Sequence, residues 1–146
     1  MRALSLALRW LHVLAAVTWL GGMLFVALVL VPIARRLDDP ALRARLLHLT
    51  GVRFRTVGWI ALGLLVATGI GNLLVHPVFL SAGRFHAKLG LVLLALVLSV
   101  LHDFVFGPRA GAPGAPPALR ARASWVARLN VLVVLAIVAL GLSLRG

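Results

Sequence analysis

Four apolar stretches, at about residues 10–32, 56–75, 85–106 and 126–144, constrain this chain more than any other feature. A helix needs roughly 20 apolar residues to cross a hydrocarbon core about 30 Å thick, and each stretch is near that length. Backbone N–H and C=O groups cannot go unpaired in lipid, so each stretch is expected to be a helix. With their loops the four runs use nearly all 146 residues, which leaves space for a single transmembrane domain over 1–146. The expected fold class is therefore all-α, an integral membrane four-helix bundle. Composition agrees: 62% of residues are hydrophobic and 12% charged, against roughly 45–50% apolar in ordinary soluble domains. The first run exceeds the roughly 7–15-residue apolar region of a cleaved signal, so it reads as a retained helix.

Boundaries come from proline, glycine and charge. The first span stops at Pro32 and the loop Arg35-Arg36-Leu37-Asp38-Asp39-Pro40, and Ala41 to Arg55 reads as a short interfacial amphipathic helix with Arg43, Arg45 and His48. The second span stops at Pro77, the third at Gly107-Pro108, and Gly111 to Pro117 is a flexible connector. Trp10, Trp59 and Trp125 lie near span ends, where indole rings anchor at the interface.

An even number of spans puts both termini on one side. That side holds Arg2, Arg9, Arg84, Lys88 and Arg145, whereas the other holds Arg35, Arg36, Arg43, Arg45, Arg53, Arg55, Arg109, Arg120, Arg122 and Arg128. The positive-inside rule then places the Arg-rich loops in the cytoplasm, both termini outside, and the chain in a cell (inner) membrane. The net charge of +12 points to anionic lipid headgroups and not to nucleic acid, because the basic residues flank apolar runs.

Ionisable groups at membrane depth are costly and mark function. Near the terminal side lie His12, Asn72, His76, His86 and Lys88; near the Arg-rich side lie Arg53, Arg55, His102, Asp103, Arg109 and Asn130. At 100° per residue, His12, Ala16, Trp19 and Met23 fall within about 40° of one stripe. A histidine beside small residues leaves space for a flat macrocycle, and haem iron is commonly held by neutral imidazole. A histidine hydrogen-bonded to a neighbouring helix explains the same pattern. Lys88, Ala95, Ser99 and His102 share a stripe on the third span, with His86 about 160° from Lys88. The Lys88 face carries the polar residues and is expected to be buried. Lys88 is the single lysine; its amine can lose a proton and act as base or ligand, which a guanidinium effectively cannot.

Asp103 is one of three acidic residues and is expected to pair with Arg55 or Arg109. With His102 and Asn130 it forms either a structural network or a proton relay. Copper has less to bind: there is no Cys, and only Met23 beyond the initiator. No nucleophile motif, phosphate-binding Gly loop, paired carboxylates or HExxH signature is present.

The segment Arg9-Trp10-Leu11-His12 through Trp19-Leu20-Gly21-Gly22-Met23 resembles the first helix shared by CopD-like membrane proteins and the HemJ-type protoporphyrinogen oxidases, with His12 on their histidine. Phe85-His86-Ala87-Lys88-Leu89-Gly90 resembles the HemJ-type third helix, whose lysine falls on Lys88, and Arg128-Leu129-Asn130 resembles the start of the last. The resemblance implies a four-helix membrane protein that binds haem b through His12, with Lys88 functionally implicated. His102-Asp103-Phe104 comes about a turn later than the expected Tyr-His, and Asn130-Val131-Leu132-Val133 replaces the expected Asn-Glu-x-Pro, which is more like a sister branch than a protoporphyrinogen oxidase.

The reading is thus a haem b protein with a redox role and a metal site at His12 and His86. The second ligand is open among Lys88, His86 and His76; Arg9 and Arg84 are placed for propionates. Membrane lipids, a quinone or another redox partner, and a second copy in a homo-oligomer are the partner classes. A copper-handling or small-solute transporter and a cofactor-free structural subunit are the alternatives.

Overall fold

The computed structural model describes residues 2–75, 83–112 and 114–143, and these contain helices and no strand. Helix α1 (Arg2–Phe25) runs through a π-helical stretch (Val26–Leu30) into α2 (Val31–Arg35). Helix α3 covers Pro40–Val75. Helix α4 (Gly83–Val100) runs through a second π-helical stretch (Leu101–Phe106) into α5 (Gly107–Ala110), and α6 covers Pro117–Ser143. Among the described residues, four continuous helices are long and apolar enough to cross a membrane: Arg2–Arg35, Pro40–Val75, Gly83–Ala110 and Pro117–Leu142.

At three places where a break was expected the helix continues. Pro32 and Pro108 were expected to end their spans, yet the helix passes through both. A proline removes the N–H that the carbonyl four residues earlier would meet, and its ring crowds that carbonyl. The chain accommodates each proline by widening the preceding turns to π bonding, in which Val31 N–H reaches Val26 O and Gly107 N–H reaches His102 O. The third difference is the amphipathic segment 41–55, expected as a separate interfacial helix. It is continuous with the second span in one helix of 36 residues. Gly51 is the sole candidate breaker there, and a lone interior glycine costs about 1 kcal/mol, too little to interrupt a helix that is bonded on both sides.

The start of α3 follows from capping. Asp39 Oδ1 accepts from the N–H groups of Ala41 (2.8 Å) and Leu42 (3.2 Å), with Pro40 at the first helical position, where no N–H is needed. Arg43 Nη2 donates to the Leu37 carbonyl and ties the incoming loop to this first turn. In the connector before α6, Gly114 has φ +75°, a left-handed conformation that glycine adopts without cost.

Contacts divide the chain into two units, Met1–Ser81 and Ala82–Gly146. The first is an antiparallel pair of α1 and α3, buried through Ala15 and Trp19 on one helix and Gly58, Ala61, Leu62 and Thr68 on the other. Glycine sets its close approach. The Phe54 ring occupies the position that a Gly22 side chain would take, and Trp19 and Leu8 lie over Gly58 and Gly71. The second unit is an antiparallel pair of α4 and α6, buried through Ala95, Leu98 and Ser99 against Ala123, Asn130, Val133 and Val134.

Candidate functional site

In the first unit the stripe Leu8, His12, Ala15, Trp19, Gly22 advances by four and three residues alternately, the spacing that keeps one face of a helix toward its neighbour. His12 is half-buried on it and meets α3 at Thr68, with 2.8 Å between Nδ1 and Thr68 Oγ1. The Thr68 hydroxyl donates to the Leu64 carbonyl at 2.6 Å, the usual bond of a threonine to the preceding turn. Its single proton is thereby used, so Thr68 Oγ1 accepts from the imidazole. This assigns the His12 proton to Nδ1 and the lone pair to Nε2. Thr68 is 5% exposed, which makes this a dry contact. A side chain at Gly69 would come within 3.6 Å of His12 Cε1, so the edge of the ring sits close to α3 at a glycine.

Thr68 is the partner that sequence reasoning missed. The available signal was its spacing from Asn72, four residues on and one turn along the same face. Asn72 Oδ1 is buried and accepts no hydrogen bond among the described residues. Arg9 lies one turn before His12 and is exposed. His76 falls outside the described residues.

In the second unit, Lys88 is half-buried and its Nζ would lie 3.4 Å from a side chain at Gly141, so the amine projects along the α4–α6 seam. His86 is exposed on another face and packs edge-on to Phe85, with ring centroids 6.2 Å apart. Arg84 is exposed at the start of the same helix. Lys88 and His86 therefore do not converge on one point.

Within the second unit, the Arg-rich group makes these contacts. Asn130 Nδ2 donates to Ser99 Oγ at 2.9 Å, both residues buried, and Ser99 in turn donates to the Ala95 carbonyl. Asp103 Oδ1 meets His102 Nδ1 at 2.9 Å. Arg109, one of the two arginines expected for Asp103, directs Nη1 to the Val105 carbonyl at 2.8 Å, one turn back on its own helix. Arg55 is half-buried on α3, in the first unit. His102 stands inside the π-helical stretch, and its carbonyl is the acceptor for Gly107 N–H. Among the described residues no three His, Cys, Asp or Glu side chains gather in a group able to hold a metal ion.

Membrane-length helices with this apolar exterior and these sparse, internally bonded polar residues define a multi-pass helical membrane protein. The chain belongs to the CopD family: the model of that family, described as copper resistance protein D, matches residues 49–144. A protein of Aquifex aeolicus (strain VF5), described as uncharacterized, is 35% identical over 141 residues, covering 93% of this chain and 92% of that protein. No solved structure matches. The matched stretch contains Thr68, His86, Lys88 and the Ser99–Asn130 pair, while His12 lies before it.

Proposed function

We propose that this protein is a haem b-binding membrane redox protein in which His12 would hold the iron. The observation that supports this is the hydrogen bond from His12 Nδ1 to Thr68 Oγ1. Metal-bound histidines characteristically donate their second ring N–H to a fixed acceptor, which sets the tautomer and the ring plane and turns the other nitrogen to the metal. Among the described residues, the donor supply fits a macrocycle better than a bare ion. Haem brings its own equatorial ligands and asks the protein for one or two axial groups, whereas a copper site built from side chains needs several donors in one place.

Bound there, haem would supply one-electron chemistry between ferric and ferrous iron. His12 would hold the iron and Thr68 would orient His12. His76 is the proposed source of a second ligand, and Arg9 the proposed partner of a propionate. A quinone or another membrane redox partner would exchange the electron, with the Arg-rich loops in the cytoplasm. The family's description favours a second reading, copper handling, in which His12 would be one ligand along a path.

Absorption spectra of the purified protein, oxidised and dithionite-reduced, together with metal analysis, separate the readings. A Soret band with sharp reduced α and β bands that weakens in His12→Ala is the expected result. Bound copper without a Soret band after expression with ample haem moves the assignment to copper handling, and a colourless, metal-free protein leaves a structural role.

A further inference from the structure

The first unit also carries an open groove of about 420 Å³ that the His12 site does not use. Its apolar wall includes Gly22 and Phe25 of α1, Val26 of the following π turn, and Val57 of α3, while Thr50 and Arg53 of α3 supply its polar groups. The volume lies within the roughly 300–1,000 Å³ of ordinary ligand sites. The Phe54 ring lies against Gly22, and both line the groove together with Val26 and Val57.

Depth makes the groove unusual. The contacts of Trp19 with Gly58 and of Gly22 with Phe54 fix the antiparallel register. Arg53 is thereby set beside Phe25 and Val26, and Val26 precedes Pro32 by six residues, about 9 Å along the axis at 1.5 Å per residue. The apolar run of α1 thus reaches past the level at which α3 turns basic. An arginine at such a level is costly unless it meets a partner, and such positions mark binding sites.

We propose that the groove holds one anionic phospholipid, with its phosphate on Arg53 and Thr50 and an acyl chain along Val26, Gly22 and Val57. Charge complementarity selects this occupant. Gly22 and Val57 lie about one turn beyond Val26 and Arg53, away from the start of α3, while Leu49 adds an apolar residue on the other side of Thr50. A guanidinium fork matches phosphate oxygens in a bidentate, charge-assisted pair. A quinone offers that guanidinium no charge, and a choline lipid brings a competing cation. The six arginines from Arg35 to Arg55 in the same unit would draw anionic lipids to this end of it.

The test is native mass spectrometry of the full chain in detergent, titrated with phosphatidylglycerol or phosphatidylcholine. One phosphatidylglycerol per chain should be retained preferentially, and Arg53→Gln should weaken it roughly tenfold or more, as loss of a charge-assisted pair does. Arg45→Gln, an exposed arginine outside the groove, should bind as the parent does. Val57→Trp keeps Arg53 and fills the trough, so it should also exclude the lipid, and it tests the groove even where Arg53→Gln fails to fold. Unchanged phosphatidylglycerol binding in either groove variant overturns the proposal. Equal retention of phosphatidylcholine, or displacement of phosphatidylglycerol by ubiquinone at equal concentration, overturns it as well.

Discussion

His12 on α1 and Thr68 on α3 stand 2.8 Å apart, and because the Thr68 hydroxyl spends its proton on the Leu64 carbonyl, the imidazole must be the donor. One threonine therefore decides which nitrogen of His12 carries a lone pair. Thr68→Val keeps the shape and removes the acceptor. In the haem reading this should lower haem affinity roughly 10–100-fold, the usual effect of losing the group behind a ligand. Thr68→Ser, which restores the hydroxyl, should stay close to wild type. Haem titration of the apoprotein followed at the Soret band measures both, and equal affinities in Val and Ser variants would show that Thr68 does not orient the ligand.

The Ser99–Asn130 bond is the corresponding link in the second unit, buried at both ends. Interhelical hydrogen bonds in membrane proteins average about 0.6 kcal/mol and reach about 1.7 kcal/mol. Ser99→Ala and Asn130→Ala should show a coupling energy within that range in a double-mutant cycle, measured by unfolding in mixed micelles. A coupling near zero would mean that the bond only matches the partners these groups find when the helices separate.

Much of this was legible in the residues themselves. Membrane chemistry compels four apolar runs to be helices, and the phase between Lys88 and His86 separates the seam-facing amine from the exposed imidazole. What escaped had physical reasons. Hydropathy changes at Thr56, but a change of solvent does not break backbone hydrogen bonds, so α3 continues from Pro40 to Val75. Pro32 and Pro108 look like stops because a regular α-helix has no place for them, and a π turn provides one. Thr68 stood unremarked because an isolated threonine is common in apolar helices. Only the register of α1 against α3, which glycine contacts determine, brings it to His12.

Gly22 and Gly21 are adjacent and should respond oppositely to substitution. A side chain at Gly22 would overlap the Phe54 ring, whereas Gly21 has nothing within 4 Å. Gly22→Ala should therefore destabilise the first unit by about 1–3 kcal/mol, as overpacking does. Gly21→Ala should be neutral or stabilising by up to about 1 kcal/mol, since alanine is the better helix former. Phe54→Leu combined with Gly22→Ala should recover part of the loss. Thermal unfolding of the four proteins in one detergent checks the order.

The second π stretch yields a prediction about a pair of neighbours. Gly107 donates to the His102 carbonyl, and a side chain at Gly107 would lie 2.7 Å from that same oxygen, too close for a carbon. The obstacle is backbone, so it can move only if the turn itself changes. Gly107→Ala should then be strongly destabilising while Pro108 holds the turn open. Pro108→Ala returns the N–H that the Phe104 carbonyl lacks and removes the ring, allowing regular α bonding in which the His102 carbonyl turns back to Phe106 N–H. The double variant should consequently be more stable than Gly107→Ala alone, and Arg109 should rotate by about one residue's phase, roughly 100°. Amide exchange across 101–110 with unfolding midpoints for the three variants reads this out. If Gly107→Ala is equally damaging with and without Pro108, the proline is not what holds the π turn open.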